Sequence, residues 1–330
     1  MEPWGDVRQQ YLDFVVHAED SPCFVDWSRN VAEDDEVLAW LGALPTVKQQ
    51  PNLVFAAARW HGAEAPGPYE GLRRVLLFDG PRVRETILSR STQTNEAGRM
   101  ATILPALALL PDPVALIEVG ASGGLCLYPD RWEHDWSPLG ELRGSGGPTL
   151  HSHPFAPFPV PTRHPDIRWR AGADLNPLDV TDPDARAWLT NLVWPEQEER
   201  LRRLEAAIEV ARVDPPELRR GDLFELLPGL LADAGRRGTP VVQHTAVIAY
   251  LEPERRLDFE EMMRGLVADG ECHWISNEAP NVLTGVTATA PNLRDDRFVL
   301  GLDGRAVAWT HGHGRDFAWF GEVGDTVGGT

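Results

Sequence analysis

The chain has 330 residues, 42% of them hydrophobic, and sets 31 Lys and Arg against 50 Asp and Glu for a formal net charge of −19. Such a length can bury a large core and predicts one large domain or two ordinary ones. The acidic balance, with no run of Lys or Arg, gives no basic face for phosphate and sets nucleic acid aside as a partner. Cys23, Cys126 and Cys272 are widely separated and fall in no CxxC or Cys/His spacing, so neither a disulfide framework nor a zinc site is indicated. A reducing cytoplasm is the expected compartment. No apolar stretch approaches the roughly 20 residues that span a bilayer, and "MEPWGDVRQQ" lacks a basic-then-apolar signal pattern, so no membrane association is expected.

In chain order, "VRQQYLDFVVHA", "DEVLAWLGAL" and "PNLVFAAARWHGA" repeat apolar residues at three- and four-residue spacing and predict helices. "GPRVRETILSRSTQTNEAGRMATILPALALLPDP" continues them. There Thr94 is a helix cap ahead of Glu96, and Pro111 with Pro113 ends the helix. The pattern then changes to strands alternating with helices, which predicts a parallel sheet and a domain boundary near residue 100. Expected strands are "VALIEVG", "IRWRAGADL", "PELRRGDL", "PVVQHTAVIAYL" and "GECHWISNEA", closed by a hairpin of "RFVLGLDG" and "RAVAWTHGH". Between them lie two long helices, "DARAWLTNLVWPEQEERLRRLEAAIEVAR" and "ERRLDFEEMMRGLVADG". Residues 133–166 are rich in Gly, Pro and His without a period, and are expected to be an insertion over the carboxyl edge of the sheet. The resulting plan is a helical amino-terminal cap over residues 1–100 and a sheet domain over 101–330.

"ALIEVGASGGLCLYPDRW" carries the first candidate site: an apolar strand ends on Glu118, breaks into a glycine turn and leads into an expected helix. Ligands of open parallel sheets bind at such strand ends, where glycines admit the backbone and the next helix offers N–H groups. A dinucleotide fingerprint needs G-x-G-x-x-G, but counting from Gly120 puts Ser122 and Leu125 at its second and third glycines, which disfavours a nicotinamide or flavin cofactor.

Glu118, Gly120 and Gly124 resemble instead the first motif of the class I S-adenosylmethionine-dependent methyltransferases, E/D-x-G-x-G-x-G, with Ser122 in place of the middle glycine. "AGADLNPLDV" places Asp174, with Asn176 beside it, where that family keeps an acid for the ribose hydroxyls. "ELRRGDLFELL" places Asp222 and Leu223 where the adenine would lie. The order of these motifs resembles the methyltransferase fold over about residues 100–320. It implies an α/β, Rossmann-like, mostly parallel sheet with an antiparallel terminal hairpin, and S-adenosylmethionine as cofactor. The phrases "TQTNEAGR", "EVGASGGL", "DLNPLDV", "WPEQEERLRRLEAAI" and "HTAVIAYL" also resemble those of a bacterial family of uncharacterised function, over nearly the whole chain.

Each candidate has a structural alternative. Glu118 contacts a ligand or anchors a turn. Asp174 meets a ribose or makes an Asx turn, and Asp222 caps the helix that follows it. Arg99 pairs with a carboxylate of cofactor or substrate, or with Glu96 on a helix surface. Gln93, Thr94 and Asn95 crowd the same segment and are candidate substrate contacts, with Thr245 and Asn277 at the later strand ends. For the base of a methyl transfer, His244 comes first and Glu278 second, with Tyr250 as an orienting hydroxyl. A histidine in an apolar strand is otherwise a satisfied core residue. His311, His313 and Asp316 offer metal-ligand chemistry but no third placed ligand, so no metal is expected. The leading expectation is methyl transfer from S-adenosylmethionine to a small-molecule acceptor. Its rivals are the same fold with another chemistry on a small polar or carboxylate substrate, and a non-catalytic binding or scaffold protein.

Overall fold

The computed structural model describes residues 6–93, 95–294 and 296–321. It forms two compact units, one from the described residues of Met1–Thr94 and Thr181–Glu205, the other from those of Asn95–Val180 and Ala206–Thr330. The first unit is helical: α1 (Val7–His17), α2 (Pro22–Glu33), α3 (Asp35–Gly42), α4 (Pro51–Trp60), α5 (Tyr69–Phe78) and α6 (Gly80–Ser89). Ser21 and Asp34 accept the first free amides of α2 and α3, as N-caps do. Phe55 holds the core together, with Phe24, Trp27 and Tyr11 edge-on at 5.0, 5.3 and 5.8 Å.

The chain passes into the second unit through α7 (Met100–Leu107) and later returns to the helical unit in α8 (Pro183–Leu192) and the first half of α9 (Glu198–Val213). One long helix was expected over 184–212. Pro195 lacks the N–H that would continue it, so the chain breaks there into two. α8 packs inside the helical unit because Arg90 lies between the Trp60 and Trp188 rings, 4.7 and 4.9 Å from their centroids, and Asp184 accepts from the same guanidinium at 2.7 Å. Placing 181–205 in the helical unit differs from the single boundary near residue 100.

The second unit is built on β1 (Val114–Val119), β2 (Glu133–Asp135), β3 (Glu141–Leu142), β4 (Thr149–His151), β5 (His153–Pro154), β6 (Ile167–Asp174), β7 (Glu217–Arg220), β8 (Thr239–Thr245), β9 (His273–Glu278), β10 (Phe298–Leu302), β11 (Arg305–Thr310) and β12 (Asp316–Trp319). Among the described residues the main sheet runs β5-β12-β11-β10-β9-β8-β1-β6-β7. β1, β6, β7, β8 and β9 are parallel; β10 runs antiparallel to β9 and β11, β12 antiparallel to β11, and β5 parallel to β12. From β1 the chain builds outward through β6 and β7, then returns to the other side of β1 for β8 and β9, so the strand order reverses between β1 and β8. All six residues of β1 are buried, as suits a central parallel strand covered on both faces.

Strand alternation gives one face Ile117, Val119, Ala173, Val242 and Trp274, which share a core with Leu230 of α10 (Leu223–Ala234) and with Phe259 and Met263 of α11 (Pro253–Ala268). The opposite face carries Leu116, Glu118, Arg170 and Gln243. No α-helix follows the glycine turn, contrary to expectation: the chain stays irregular until the 3₁₀ turn Pro129–Arg131. Ala121 to Pro129 are all buried. Nine consecutive buried residues cannot share one face of an amphipathic helix, so this stretch lies flat on the sheet.

The insertion is not a loose cover either. It folds into a small sheet, β3-β2-β4, and lends β5 to the far edge of the main sheet beside β12. Trp136 donates its indole N–H to the Ala101 carbonyl at 2.7 Å, and Phe158 meets Phe317 at 5.0 Å. Strands of two or three residues are too short to show a period, which hid them in the sequence.

Candidate functional site

The site is assembled where the strand order reverses, at the carboxyl ends of β1, β6 and β8. The glycine turn after β1 is closed upon the protein. Gly120 and Ala121 donate to the Ala173 carbonyl at 2.8 and 3.2 Å, and Gly124 to that of Ala121 at 2.6 Å. Ser122 donates its amide to Asp174 at 2.8 Å and Gly123 to Asn95 at 3.0 Å. All five amides therefore have internal acceptors, and without a following helix the turn offers no cradle for an anion.

Ser122 adopts a left-handed φ of +50°, which disfavours any residue with a Cβ by about 1 kcal/mol. It is held there by Asn95, whose Nδ2 donates to the Ser122 hydroxyl at 2.9 Å. Asn95 thus clamps the residue that replaces the middle glycine. Gly120, at φ +70°, is required by a neighbour: a Cβ there would overlap the Val247 side chain, which fills the space above the turn. Val247 follows Ala246, itself left-handed at φ +54°. Two strained non-glycine residues thus flank the switch point, the kind of place where strain accompanies function.

Beneath the turn lies Glu118, 4% exposed, with Oε2 buried and without a hydrogen-bond partner among the described residues. Burial pushes its carboxyl well above the usual range; the Asp174 carboxylate adds to the shift, while the Arg99 guanidinium and the Cys126 thiol oppose it. Arg99 is 5% exposed and ties strand ends together, donating Nε to the Gly312 carbonyl at 2.7 Å and Nη1 to that of Thr245 at 3.1 Å. Its expected pairing on a helix surface gives way to this buried role. Among the described residues its Nη2 has no hydrogen bond.

The ends of β8 and β9 are different. His244 is 1% exposed; Nδ1 faces Glu278 at 2.8 Å and Nε2 accepts the Trp274 indole N–H at 3.0 Å. An indole only donates, so Nε2 holds a lone pair and Nδ1 carries the proton. Both ring nitrogens are engaged inside the core, so His244 is not a free base for a substrate. Glu278 Oε1 also accepts the Val247 and Ile248 amides at 3.0 and 3.2 Å; this carboxylate anchors the β8 loop, although its Oε2 has no partner. Asn277 is fully buried, donating to Thr245 Oγ1 at 3.1 Å and accepting from Thr310 at 2.7 Å. That pairing holds the Asn277 side chain inside the core, while the half-buried Thr245 hydroxyl keeps its own O–H to donate. Tyr250 is 71% exposed, yet the protein packed around it raises its phenol, with Arg99 opposing and Glu278 adding.

The remaining candidates are dispersed. Asp174 makes the Asx turn: its Oδ1 accepts the Asn176 amide at 2.7 Å, and Asn176 in turn accepts from Arg220 at 3.0 Å. Asp222 caps α10 through the Phe224 amide at 2.8 Å, with Leu223 as the first helical residue. Gln93 belongs to the helical unit. Thr94 lies outside the described residues. His311 and His313 have ring centroids 5.8 Å apart, and His313 Nδ1 stands 3.6 Å from Glu96. Among the described residues no three His, Cys, Asp or Glu side chains are grouped to hold a metal ion, and no helix is long and apolar enough to cross a membrane.

Sequence reasoning missed Gln243, buried at 1% beside Glu118, and the role of Val247. Alternation was the available signal for the first: in "VVQHT", Gln243 and Thr245 share a face that His244 does not.

These features define an α/β protein with an acceptor-rich, buried strand end at a topological switch point. Residues 8–319 match the family described as "Uncharacterized protein conserved in bacteria (DUF2332)", and the chain belongs to that family. No curated protein and no solved structure matches it.

Proposed function

We propose that the sheet unit is a Rossmann-like domain that binds S-adenosylmethionine and transfers its methyl group to a small-molecule acceptor. One observation carries the reading: every amide of the glycine turn is satisfied internally, while the Glu118 carboxylate is buried with an open acceptor. A phosphate-bearing cofactor needs free donors; a ligand made of ribose hydroxyls, an ammonium and a sulfonium needs acceptors. The parallel strands, taken in chain order, lie 3-2-1-4-5 in space, the order of nucleotide-binding doubly wound sheets.

The residues fit such a ligand. Asp174 accepts one amide on each oxygen and keeps further lone pairs for ribose hydroxyls. Leu175 beside it is 74% exposed and offers apolar surface to a ring. Arg99 Nη2 would take a carboxylate. The bound cofactor would supply an electrophilic methyl group. The protein's part is positioning and exclusion of water, with Glu118 holding a donor, Asp174 fixing the ribose and Tyr250 orienting the acceptor. His244 takes no proton in this scheme.

A second reading has one observation in its favour. Val247 fills the space above Gly120, which suits the same fold holding a shorter polar ligand that does not cross the turn.

Titration calorimetry with S-adenosylmethionine and S-adenosylhomocysteine tests the proposal. Saturable binding that weakens at least about tenfold in Asp174→Ala is expected. Absence of heat at millimolar ligand contradicts it.

A further inference from the structure

Two side chains on neighbouring strands leave acceptors unused at one place. Glu118 of β1 and Gln243 of β8 are register partners in a parallel pair, so they project from the same face, 4% and 1% exposed. Gln243 Nε2 donates to the Cys126 carbonyl at 2.7 Å, and the Cys126 thiol donates to the Glu96 carbonyl at 3.5 Å while acting to lower the Glu118 carboxyl. A carbonyl only accepts, so the carboxamide orientation is fixed and Oε1 is the free end. Gln243 Oε1 and Glu118 Oε2 are both buried and have no hydrogen-bond partner among the described residues.

Two buried acceptors on register-paired residues of one face are costly unless a donor serves them. We propose that Glu118 and Gln243 form one acceptor pair that holds a cationic, hydrogen-donating group of the ligand, an ammonium, and that in the ligand-free protein a proton carried by Glu118 bridges the pair. Ligand binding then releases that proton to solvent, since the ammonium brings its own positive charge and donors. Groups facing Glu118 from the packed elements act in both directions. Asp174 at the end of β6 favours the proton, whereas Arg99 and the Cys126 thiol oppose it, and burial outweighs them. The Cys126 thiol is itself pushed well above its ordinary value by burial, with Glu118 and Glu96 adding, and stays neutral. The pair rests on the sheet unit binding a ligand at the switch point, not on which ligand it is.

Infrared difference spectra of the full chain read the proton directly. Ligand-free protein at neutral pH should show a protonated-carboxyl carbonyl band that is missing in Glu118→Gln, shifted in Gln243→Leu and retained in Asp174→Asn. No such band overturns the resting proton. Calorimetry with S-adenosylhomocysteine in buffers of different ionisation enthalpy should then show release of a proton in the wild type and none in Glu118→Gln, with about tenfold weaker binding in Gln243→Leu. Binding without proton release overturns the pair and leaves S-adenosyl binding standing. Should S-adenosylhomocysteine not bind, the S-adenosyl reading falls, and methylammonium becomes the probe: loss of the carboxyl band on its addition supports the pair, and persistence of the band overturns it.

Discussion

Glu118 at the end of β1 and Glu278 at the end of β9 are carboxylates of one sheet with nearly equal burial, 4% and 2% exposed, in opposite surroundings. Three N–H donors converge on Glu278: the His244 imidazole and the Val247 and Ile248 amides. Glu118 has no N–H donor and shares its space with a second carboxylate, Asp174. Burial alone therefore does not describe a buried acid; the two differ in whether the protein supplies N–H donors. By that measure β9 ends in a carboxylate that the protein supplies with three N–H donors on one oxygen, and β1 in one supplied with none.

Removing the acid that the three donors hold should cost most. Glu278→Ala leaves His244 and two loop amides without an acceptor and is expected to lower stability by about 3–5 kcal/mol, at about 1–3 kcal/mol for each buried donor left unsatisfied, read by urea denaturation. An unchanged midpoint would show that the two acids do not differ as described. Trp274→Phe removes only the donor to His244 Nε2 and should cost about 1–3 kcal/mol in the same assay.

Glu118 should make stability depend on pH. Its folded-state carboxyl is raised above the unfolded value, so its contribution is fully present below the unfolded value and is lost as pH rises through the folded one. The loss is at most about 1.4 kcal/mol per pH unit. Glu118→Gln carries no such term and should gain on the wild type as pH rises; parallel stability curves would contradict the assignment. The smallest effect is expected at the clamp on the turn. Asn95→Ala should cost about 1 kcal/mol and speed hydrogen exchange at the Ser122 and Gly123 amides, leaving β9 unaffected.

Much of this contrast is latent in the sequence, but unevenly. β1 is legible because a central parallel strand reads as a continuous apolar run, and a carboxylate ending it is conspicuous. The change from helical to strand-and-helix patterning at about residue 100 is legible for the same reason. The segment after the turn is not: "LCLYPDRW" resembles a helix start, yet Ala121 to Pro129 are all buried, which depends on the sheet beneath. His244 drew attention as a base while its neighbour Gln243 did not. Alternation puts them on opposite faces, and only the packing of α10 and α11 decides which face is core. The pairing of Glu118 with Gln243 depends on register between strands far apart in the chain, which no local pattern encodes.

The most direct measurement is a crystal structure with S-adenosylhomocysteine bound. Its ammonium nitrogen is expected within hydrogen-bonding distance of Glu118 and Gln243 Oε1, its ribose against Asp174, and the turn amides still bound to Ala173, Asp174 and Asn95. A ligand seated away from Glu118, or turn amides redirected to the ligand, would contradict it.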